Sequence, residues 1–522
     1  MHNLSFLDIA IFSLYIIILL FIGFWAGRKK KESAEDFFIS HNKLPWFVIG
    51  FAILANGISS EQFLGTVGFA YNHGLAVANW EWANAPALLV LILIFVPLYL
   101  RKKIITMPQF LEKRYDGKVR TLFAIITLLT FVFIYLSGVI FSGGFVLNVI
   151  FGINLYSAIW SLTIIAGLMT IYGGMASVAW TQFFQSIVLL GGGLLVFFLG
   201  LQHVPGGFDA IIGTGSRSHL ILPADHPILP WPGIVVLALS TNLWYFGTNQ
   251  TINQSVLGAK NEWHAKMGII LAGFLYVIIA FADVFPGLIA FALNPNLPND
   301  EAYPYVVTHL IPTGMKGLVF AGLVGAIMST IEGIINATST IFTYDIYSRY
   351  IKKDSTTAQM IKAGRMTSVV VLIIGGLWAP VVLKFGHIFS YFQECLVFIA
   401  IPSIVVFTAG VLSKKVTNKA AFWVMLLSLP MFFMPYLLRT LNIGMNVFNF
   451  SGIVLIIISL LLIFLSLITK DTTLSSSEEY IWKYSMRNFS EHEINNYPFY
   501  KKISFWAFIM TSIYITIYII FW

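Results

Sequence analysis

The sequence predicts an all-α integral membrane protein with about 14 transmembrane helices, and its composition is the first observation behind this prediction. Hydrophobic residues make up 58% of the 522 residues, and the mean hydropathy is +0.83. Only 10% of the residues are charged, whereas a soluble domain has about 25%. A water-soluble enzyme of this composition would expose apolar surface everywhere, so that class is excluded. The single cysteine, Cys395, also excludes an intrachain disulfide and a cysteine metal cluster.

The second observation is that apolar runs long enough to cross a bilayer recur along the whole chain. The first run is followed, rather than preceded, by the basic cluster 28–31, which favours a true span over a signal peptide. The predicted spans are 6–27, 47–72, 80–100, 120–150, 155–173, 180–201, 232–253, 266–292, 316–347, 366–384, 388–412, 420–438, 449–469 and 503–521.

The third observation is the distribution of Lys and Arg, which follows the positive-inside rule when the N-terminus is placed outside. The predicted inner loops then hold 27 of the 31 basic residues, and the outer side holds Arg217, Lys316, Lys384 and Arg439. The inner loops are 28–45, 101–120, 254–266, 348–365, 413–419 and 470–502. We therefore expect an even number of spans with both termini outside. The net charge of +8 reflects this topology and not a nucleic-acid partner.

Each polar group within a span is a candidate for function, because such groups are costly in a bilayer. In the second span the segment 55–63 (Ala-Asn-Gly-Ile-Ser-Ser-Glu-Gln-Phe) interrupts an apolar helix. An unwound segment whose carbonyls line a hydrated cavity explains this composition, with a helix pair joined by polar contacts as the alternative.

Glu81 and Asn84 lie one turn apart at the outer start of the third span, beside Trp80 and Trp82. A carboxylate and an amide next to indoles suit a ligand with several hydroxyls, because the rings can cover its C–H faces. The alternative interpretation of the tryptophans is the aromatic belt at the membrane interface.

A second polar interruption, 241–250, lies in the seventh span, and the ninth span carries Ser329-Thr330. Adjacent hydroxyls on a membrane helix commonly bond to their own helix. Together with the unwound second span, however, they can form an all-oxygen cage for a hard cation. Its ligands would be the two hydroxyls and the carbonyls of Ala55, Ile58 and Ala326, without thiol or imidazole.

Three further groups carry polar side chains within spans. Gln393-Glu394 lies beside Phe389 and Tyr391, and Asp283 and Glu332 are isolated carboxylates. Asp283 and Glu332 have two possible roles: each can bind a proton or an ion, or each can form a polar contact between helices. No Walker motif, zinc spacing or nucleophile triad is present, so we expect a protein that is not an enzyme and that has no cofactor.

Several ordered motifs resemble the sodium/solute symporter family, within it the sodium–glucose/galactose branch and most closely bacterial sodium/galactose symporters. The likeness runs over nearly the whole chain. The motifs are Ile58-Ser59-Ser60-Glu61-Gln62-Phe63, Glu81-Trp82, Pro108-Gln109-Phe110-Leu111-Glu112-Lys113-Arg114, Tyr172-Gly173-Gly174, Asn336-Ala337-Thr338, Phe342-Thr343-Tyr344-Asp345-Ile346-Tyr347 and Gln393-Glu394.

The resemblance implies two inverted five-helix repeats of the LeuT-like fold, which share a midplane site and have extra helices at both ends. The chain would then be one transmembrane domain, 1–522. Its parts would be the first helix and inner loop (1–46), the first repeat (47–201), the second repeat (232–412) and the C-terminal helices (420–522).

Carried over position by position, the resemblance implies sugar contacts at Gln62, Glu81, Asn242 and Gln393. Tyr245 resembles the inner-gate tyrosine that stacks on the sugar, and Phe389 resembles an aromatic of the outer gate. The implied sodium site falls on Ala55, Ile58, Ala326, Ser329 and Thr330, the same residues as the cage.

Five positions depart from the pattern of the sugar transporters. Tyr276 replaces a lysine of the sugar site, Gly57 an asparagine and Asn84 a serine. Gln182 replaces a common aspartate, which weakens the case for a second sodium there, and Ser255 replaces an arginine. Losing the lysine removes a strong donor to a sugar hydroxyl, for which a tyrosine is a weaker substitute.

The resulting hypothesis is a sodium-coupled symporter of the cell (inner) membrane that imports a galactose- or glucose-like hexose, or a related polyol, by alternating access. Sodium would be the coupling ion. The alternatives are a sodium symporter for myo-inositol, sialic acid or an amino or carboxylic acid, and a membrane sensor that uses the same pocket without transport. A carboxylate substrate would favour a paired arginine or a free helix N-terminus in the site, and no arginine lies within a central span.

Overall fold

The computed structural model describes residues 5–28, 32–213, 215–227, 229–298, 301–385, 388–431, 433–441, 446–469, 475–487 and 498–522. Within these ranges the regular structure is helical. A single pairing of extended backbone is found in the same ranges, and it joins Leu44 to Ala259.

The first half of the described chain forms helices α1 to α13. They are Phe6–Gly27, Ala34–Phe38, Trp46–Gly57, Ser60–His73, Asn79–Trp82, Ala85–Val90, Val96–Arg101, Met107–Arg114, Gly117–Thr130, Ser137–Phe151, Leu155–Gly173, Met175–Gln202 and Gly207–Ile212. Wider π-helical turns at Leu91–Phe95 and Phe131–Leu136 continue α6 into α7 and α9 into α10.

The second half forms helices α14 to α27. They are Trp231–Leu237, Leu243–Thr248, Gln250–Leu257, Glu262–Asp283, Phe285–Leu293, Ala302–Leu310, Met315–Ile341, Thr357–Trp378, Ile388–Leu412, Asn418–Leu426, Ser428–Met431, Met434–Thr440, Val447–Ile468 and Ile503–Ile520. The π-helical segments Ala238–Asn242 and Phe342–Ile351 join α14 to α15 and extend α20.

Among the described residues, ten helical stretches are long and apolar enough to cross a membrane, and each overlaps a predicted span. One of them, Gly65–Arg101, includes the end of the predicted span 47–72 as well as all of 80–100. The other four predicted spans do not form a single long apolar helix of this kind, for the following reasons. Breaks divide 47–72 and 232–253, and 420–438 consists of the three short helices α23, α24 and α25. The span 388–412 coincides with α22, whose apolar part Leu396–Leu412 is shorter than the ten spanning stretches.

Helix α20 forms the centre of the molecule. In its most apolar window 94% of the residues are buried, against 17% in α1 and in α27. It packs against α12, α1 and α3, while α3 also packs against α17 and α12. The apolar side chains that α1 and α27 expose, such as Phe21 and Phe508, are suited to contact with lipid tails.

Contacts between loops agree with the topology predicted from the basic residues. On the predicted inner side, Arg101 pairs with Glu262 at 2.9 Å and Lys102 pairs with Glu479 at 3.1 Å. On the predicted outer side, the backbone N–H of Leu220 donates to the carbonyl of Phe521 at 2.7 Å. Each of these contacts joins segments that the prediction places on the same side.

Candidate functional site

The polar interruption of the second span is confirmed as a break between two helices. Helix α3 ends at Gly57, and α4 begins at Ser60. Between them Ile58 (φ −114°, ψ 105°) and Ser59 (φ −111°, ψ 177°) are extended, so the chain leaves the helical hydrogen-bond pattern in the interior of the bundle. Backbone carbonyls at such a break are available to a ligand.

The interruption of the seventh span is also confirmed. Helix α15 ends at Thr248, α16 begins at Gln250, and Asn249 between them is extended (φ −75°, ψ 128°). The Asn249 side chain caps the new helix by accepting hydrogen bonds from the backbone N–H and the hydroxyl of Thr251, at 3.0 and 2.9 Å.

Four of the five predicted cation ligands meet where α20 crosses the end of α3. The Ser329 hydroxyl is 2.9 Å from the carbonyl oxygens of both Ala55 and Ala326. The Thr330 hydroxyl is 3.0 Å from the Ala326 oxygen and 3.5 Å from that of Ala55. Two hydroxyls and two carbonyls thus converge, and Ile58 lies in the adjacent break. The donor set is the uncharged oxygen type that hard cations accept.

A ladder of amide hydrogen bonds supports this cluster from the side of α12. The Gln182 amide nitrogen donates to the Asn56 side-chain oxygen at 3.0 Å and to the Ser329 carbonyl at 2.9 Å. A Cβ on Gly333 would collide with the side-chain oxygen of Asn56, so the glycine leaves the space that this amide occupies. Gln182 therefore ties both halves of the cluster to a third helix.

Glu332 takes part in a polar contact between helices, one of the two alternatives predicted for it. It is completely buried, and its carboxylate accepts hydrogen bonds from the Thr181 hydroxyl at 2.6 Å and the Gln185 amide at 3.2 Å. Sequence reasoning missed Thr181 and Gln185. The sequence pattern that could have predicted this contact is the group of polar residues 181, 182 and 185 along one face of an otherwise apolar helix.

Of the predicted substrate-binding residues, Tyr245 and Tyr276 lie against the end of α3, and Asn242 contacts the segment that carries Glu81 and Asn84. The Tyr245 hydroxyl donates to the Asn56 carbonyl at 2.6 Å, and a Cβ on Gly57 would collide with the Tyr276 hydroxyl. Asn242 donates to the Ala83 carbonyl at 3.2 Å. Glu81 and Asn84, on either side of Ala83, are both buried.

Trp80 and Trp82 are buried against other rings rather than placed at the surface. The Trp80 ring centroid lies 5.6 Å from that of Phe448, and Trp82 stacks on Phe521 at 6.4 Å. The Trp82 indole N–H donates to the Val277 carbonyl at 3.4 Å. Both rings are therefore packed against other side chains of the bundle.

Three predicted substrate contacts cannot be placed. The side chains of Gln62, Phe389 and Gln393 lie outside the described residues.

A separate charged network lies on the predicted inner side and joins two of the sequence motifs. The Arg120 guanidinium donates to Asp345 at 2.6 Å and bonds Glu112, which also bonds Arg349. The Thr106 hydroxyl donates to the same Asp345 oxygen at 3.0 Å. Partial burial alone would raise the pKa of Glu112, but the hydrogen bonds from the two arginines hold the pKa below its ordinary value.

The fold and this arrangement define a multi-pass helical membrane protein with two broken helices beside an uncharged oxygen cluster. The model of the Sodium:solute symporter family matches residues 37–428. The chain belongs to this family, and it is therefore a transporter rather than an enzyme.

Curated relatives cover most of the chain. A "Sodium/glucose cotransporter" of Vibrio parahaemolyticus is 36% identical over 87% of this chain and 91% of its own length. "Sodium/glucose cotransporter 4" of Homo sapiens is 31% identical over 80% of this chain and 67% of its own length. Among solved structures, a Na+-coupled sialic acid symporter in a substrate-bound outward-open state gives a TM-score of 0.78 at 20% identity, covering 90% of this chain and 99% of that one. This last likeness supports the fold alone.

Proposed function

We propose that this chain is a sodium-coupled symporter that carries a galactose- or glucose-like hexose, or a related polyol, into the cell. The observation that carries the proposal is the junction of α3 and α20, where the Ser329 and Thr330 hydroxyls reach the Ala55 carbonyl. The names of the similar curated proteins support the same combination of ion and substrate.

The coupling follows from linkage between the ion and the conformation of the bundle. Sodium held by Ala55, Ile58, Ala326, Ser329 and Thr330 ties the broken helix to α20 and favours the outward-open state that accepts substrate. One cation that moves down a membrane potential of about 100 mV contributes roughly 2.3 kcal/mol. Release of sodium inside then weakens that junction and allows the substrate to leave.

The substrate site would lie beside the same break, with Gln62, Glu81, Asn84, Asn242, Tyr245, Tyr276, Phe389 and Gln393 as its side chains. Amide and carboxylate groups would bond the hydroxyls, and the buried rings would cover the apolar faces. The hydrogen bond from Tyr245 to Asn56 supports this placement, because it joins the substrate side chains to the helix that holds the cation cluster.

The finer architecture belongs to the same proposal. We expect 14 spans, inverted five-helix repeats over 47–201 and 232–412, and an inner-membrane location with both termini outside. The agreement between loop contacts and basic-residue distribution supports this topology.

The test is uptake of labelled galactose, glucose and myo-inositol into proteoliposomes, with an inward sodium gradient or with potassium in its place. We expect accumulation of one of these solutes only with the sodium gradient. Uptake that is equal in potassium would contradict sodium coupling. Sodium stabilisation of the purified protein without uptake of any polyol would contradict the sugar part of the proposal.

A further inference from the structure

The short segment that carries Glu81 depends on distant parts of the chain for its position. Helix α5, Asn79–Trp82, is four residues long and follows a 3₁₀ turn at Gly74–Ala78. A helix of one turn is not stable in isolation, because its few hydrogen bonds do not offset the cost of ordering the backbone. Contacts with other elements therefore fix where Glu81 lies.

Asn79 is the residue at which these contacts meet. It is completely buried, and its amide nitrogen donates to the carbonyls of Ala76 at 2.8 Å and Leu220 at 2.7 Å. Its side-chain oxygen accepts a hydrogen bond from the Tyr518 hydroxyl at 2.6 Å. The side chain thus joins α5 to a loop and to the C-terminal helix α27, over sequence separations of 141 and 439 residues.

One face of α27 packs first on α17 and then on the segment of α5. Tyr514 is buried, and its hydroxyl donates to the Gly273 carbonyl of α17 at 2.8 Å. Tyr518 lies one turn further along, and Phe521, whose ring stacks on Trp82, directly follows the last residue of the helix. Residues three or four positions apart share a helix face. The anchor on α17 therefore sets where the end of α27 meets α5.

The segment that carries Glu81 is held at both of its ends. Tyr518 bonds Asn79 at its start, and Asn242 donates to the carbonyl of Ala83 at its end. If the bond at the start is lost, Glu81 is free to shift, and hydrogen bonds to a ligand weaken steeply when their geometry changes.

We propose that Tyr518, acting through Asn79, is a positioning residue that holds Glu81 in place for the substrate. The inference rests on the proposed symport function and adds the C-terminal helix to the parts of the chain that set the affinity for sugar. The cation cluster is held by α3, α12 and α20. The effect of Tyr518 therefore falls on sugar binding and not on sodium binding.

The test is Tyr518→Phe, which removes the hydroxyl and keeps the ring, with initial rates of sugar uptake measured in proteoliposomes under an inward sodium gradient. We expect the KM for the sugar to rise about fivefold, as for the loss of one hydrogen bond. The maximal rate, and the half-saturating sodium concentration at saturating sugar, should not change. The matched control is Thr516→Val, which removes a hydroxyl that bonds the Ser512 carbonyl of its own helix and should leave the KM unchanged.

A double variant tests whether the effect passes through Asn79. In an Asn79→Ala background the partner of the hydroxyl is gone, so Tyr518→Phe should raise the KM no further. A further rise as large as that in the wild-type background would overturn the inference. The single variant and its control stand even if Asn79→Ala does not fold.

The remaining outcomes separate the inference from the proposed function. A Tyr518→Phe protein with the wild-type KM, or one that loses maximal rate at an unchanged KM, would overturn the positioning role and leave the proposed function intact. An equal rise in KM for Thr516→Val would also overturn it. Failure of the wild-type protein to accumulate any sugar with sodium would overturn the proposed function itself.

Discussion

At the scale of the residue, Gln182 shows how a side chain outside the cation cluster can hold it together. Its amide bonds Asn56 on α3 and the Ser329 carbonyl on α20, over sequence separations of 126 and 147 residues. The hydroxyls and carbonyls of the cluster can be predicted from the sequence because they lie in two short polar segments within otherwise apolar spans. It does not predict the Gln182 bridge, because hydrophobic periodicity carries no information about which distant helix faces which.

Replacement of Glu332 tests whether it acts as a contact between helices. Glu332→Leu leaves the Thr181 hydroxyl and the Gln185 amide without their buried acceptor, which costs about 1–3 kcal/mol for each group. We expect a clear fall in the thermal unfolding midpoint of the purified protein, and a smaller fall for Glu332→Gln because its oxygen can still accept from Thr181. Glu301→Leu, at an exposed position, is the control and should change the midpoint little.

A different result would assign Glu332 a different role. If Glu332→Gln kept the unfolding midpoint but abolished sodium activation of transport, Glu332 would be an ion ligand rather than a contact between helices.

At the scale of the element, the two helix breaks are the best-predicted part of the site. Asn, Gly and Ser in 55–60 and the polar run 241–250 are poor continuous membrane helix, and the chain is extended at Ile58-Ser59 and at Asn249. Composition alone does not fix where in such a run the break falls. That is set by tertiary contacts, such as the approach of Tyr276 to Gly57.

Gly57→Ala tests that approach. The added Cβ collides with the Tyr276 hydroxyl, which is held in a fully buried position, and overpacking of this kind costs about 1–3 kcal/mol. We expect substrate uptake at a fixed sodium concentration to fall about tenfold or more. The measurement is the initial rate in proteoliposomes, normalised to the amount of reconstituted protein.

Two variants make this result specific. Gly191→Ala adds a methyl group that meets nothing within 4 Å and should leave uptake unchanged. Gly57→Ala should reduce uptake less in a Tyr276→Phe background than in the wild type, because the hydroxyl with which the added Cβ collides is gone. If the loss of uptake in the double variant equals the two single losses combined, the two residues do not interact.

At the scale of the whole molecule, the loop contacts of the described chain join segments that the basic residues predict to lie on the same side of the membrane. The basic residues predict this division because topology depends on their simple asymmetry. The number of spans is harder to predict, since a run such as 420–438 is apolar enough for one helix but folds as three short ones. The inner charged network is also not predictable in detail, because Glu112 and Asp345 come from motifs more than two hundred residues apart.

Glu112 makes the inner network sensitive to acid. Its pKa is lowered in the folded protein, so its contribution to stability is complete above the unfolded pKa and is lost as the pH falls through the folded value. We expect the unfolding midpoint of Glu112→Gln to lie below that of the wild type at about pH 7, and the difference to shrink towards about pH 4. A difference that grows on acidification would contradict this sign, and Glu478→Gln, exposed on the same side, is the control.

The most direct test of the central claim is the sodium dependence of sugar uptake in Thr330→Ala. Thr330 bonds the broken helix as well as its own, whereas Thr338 on the same helix is equally buried and bonds the Ile334 carbonyl of its own helix. We predict that Thr330→Ala raises the half-saturating sodium concentration about tenfold while Thr338→Ala leaves it unchanged. A Thr330→Ala protein that transports with the wild-type sodium curve would contradict the assignment of the cation site.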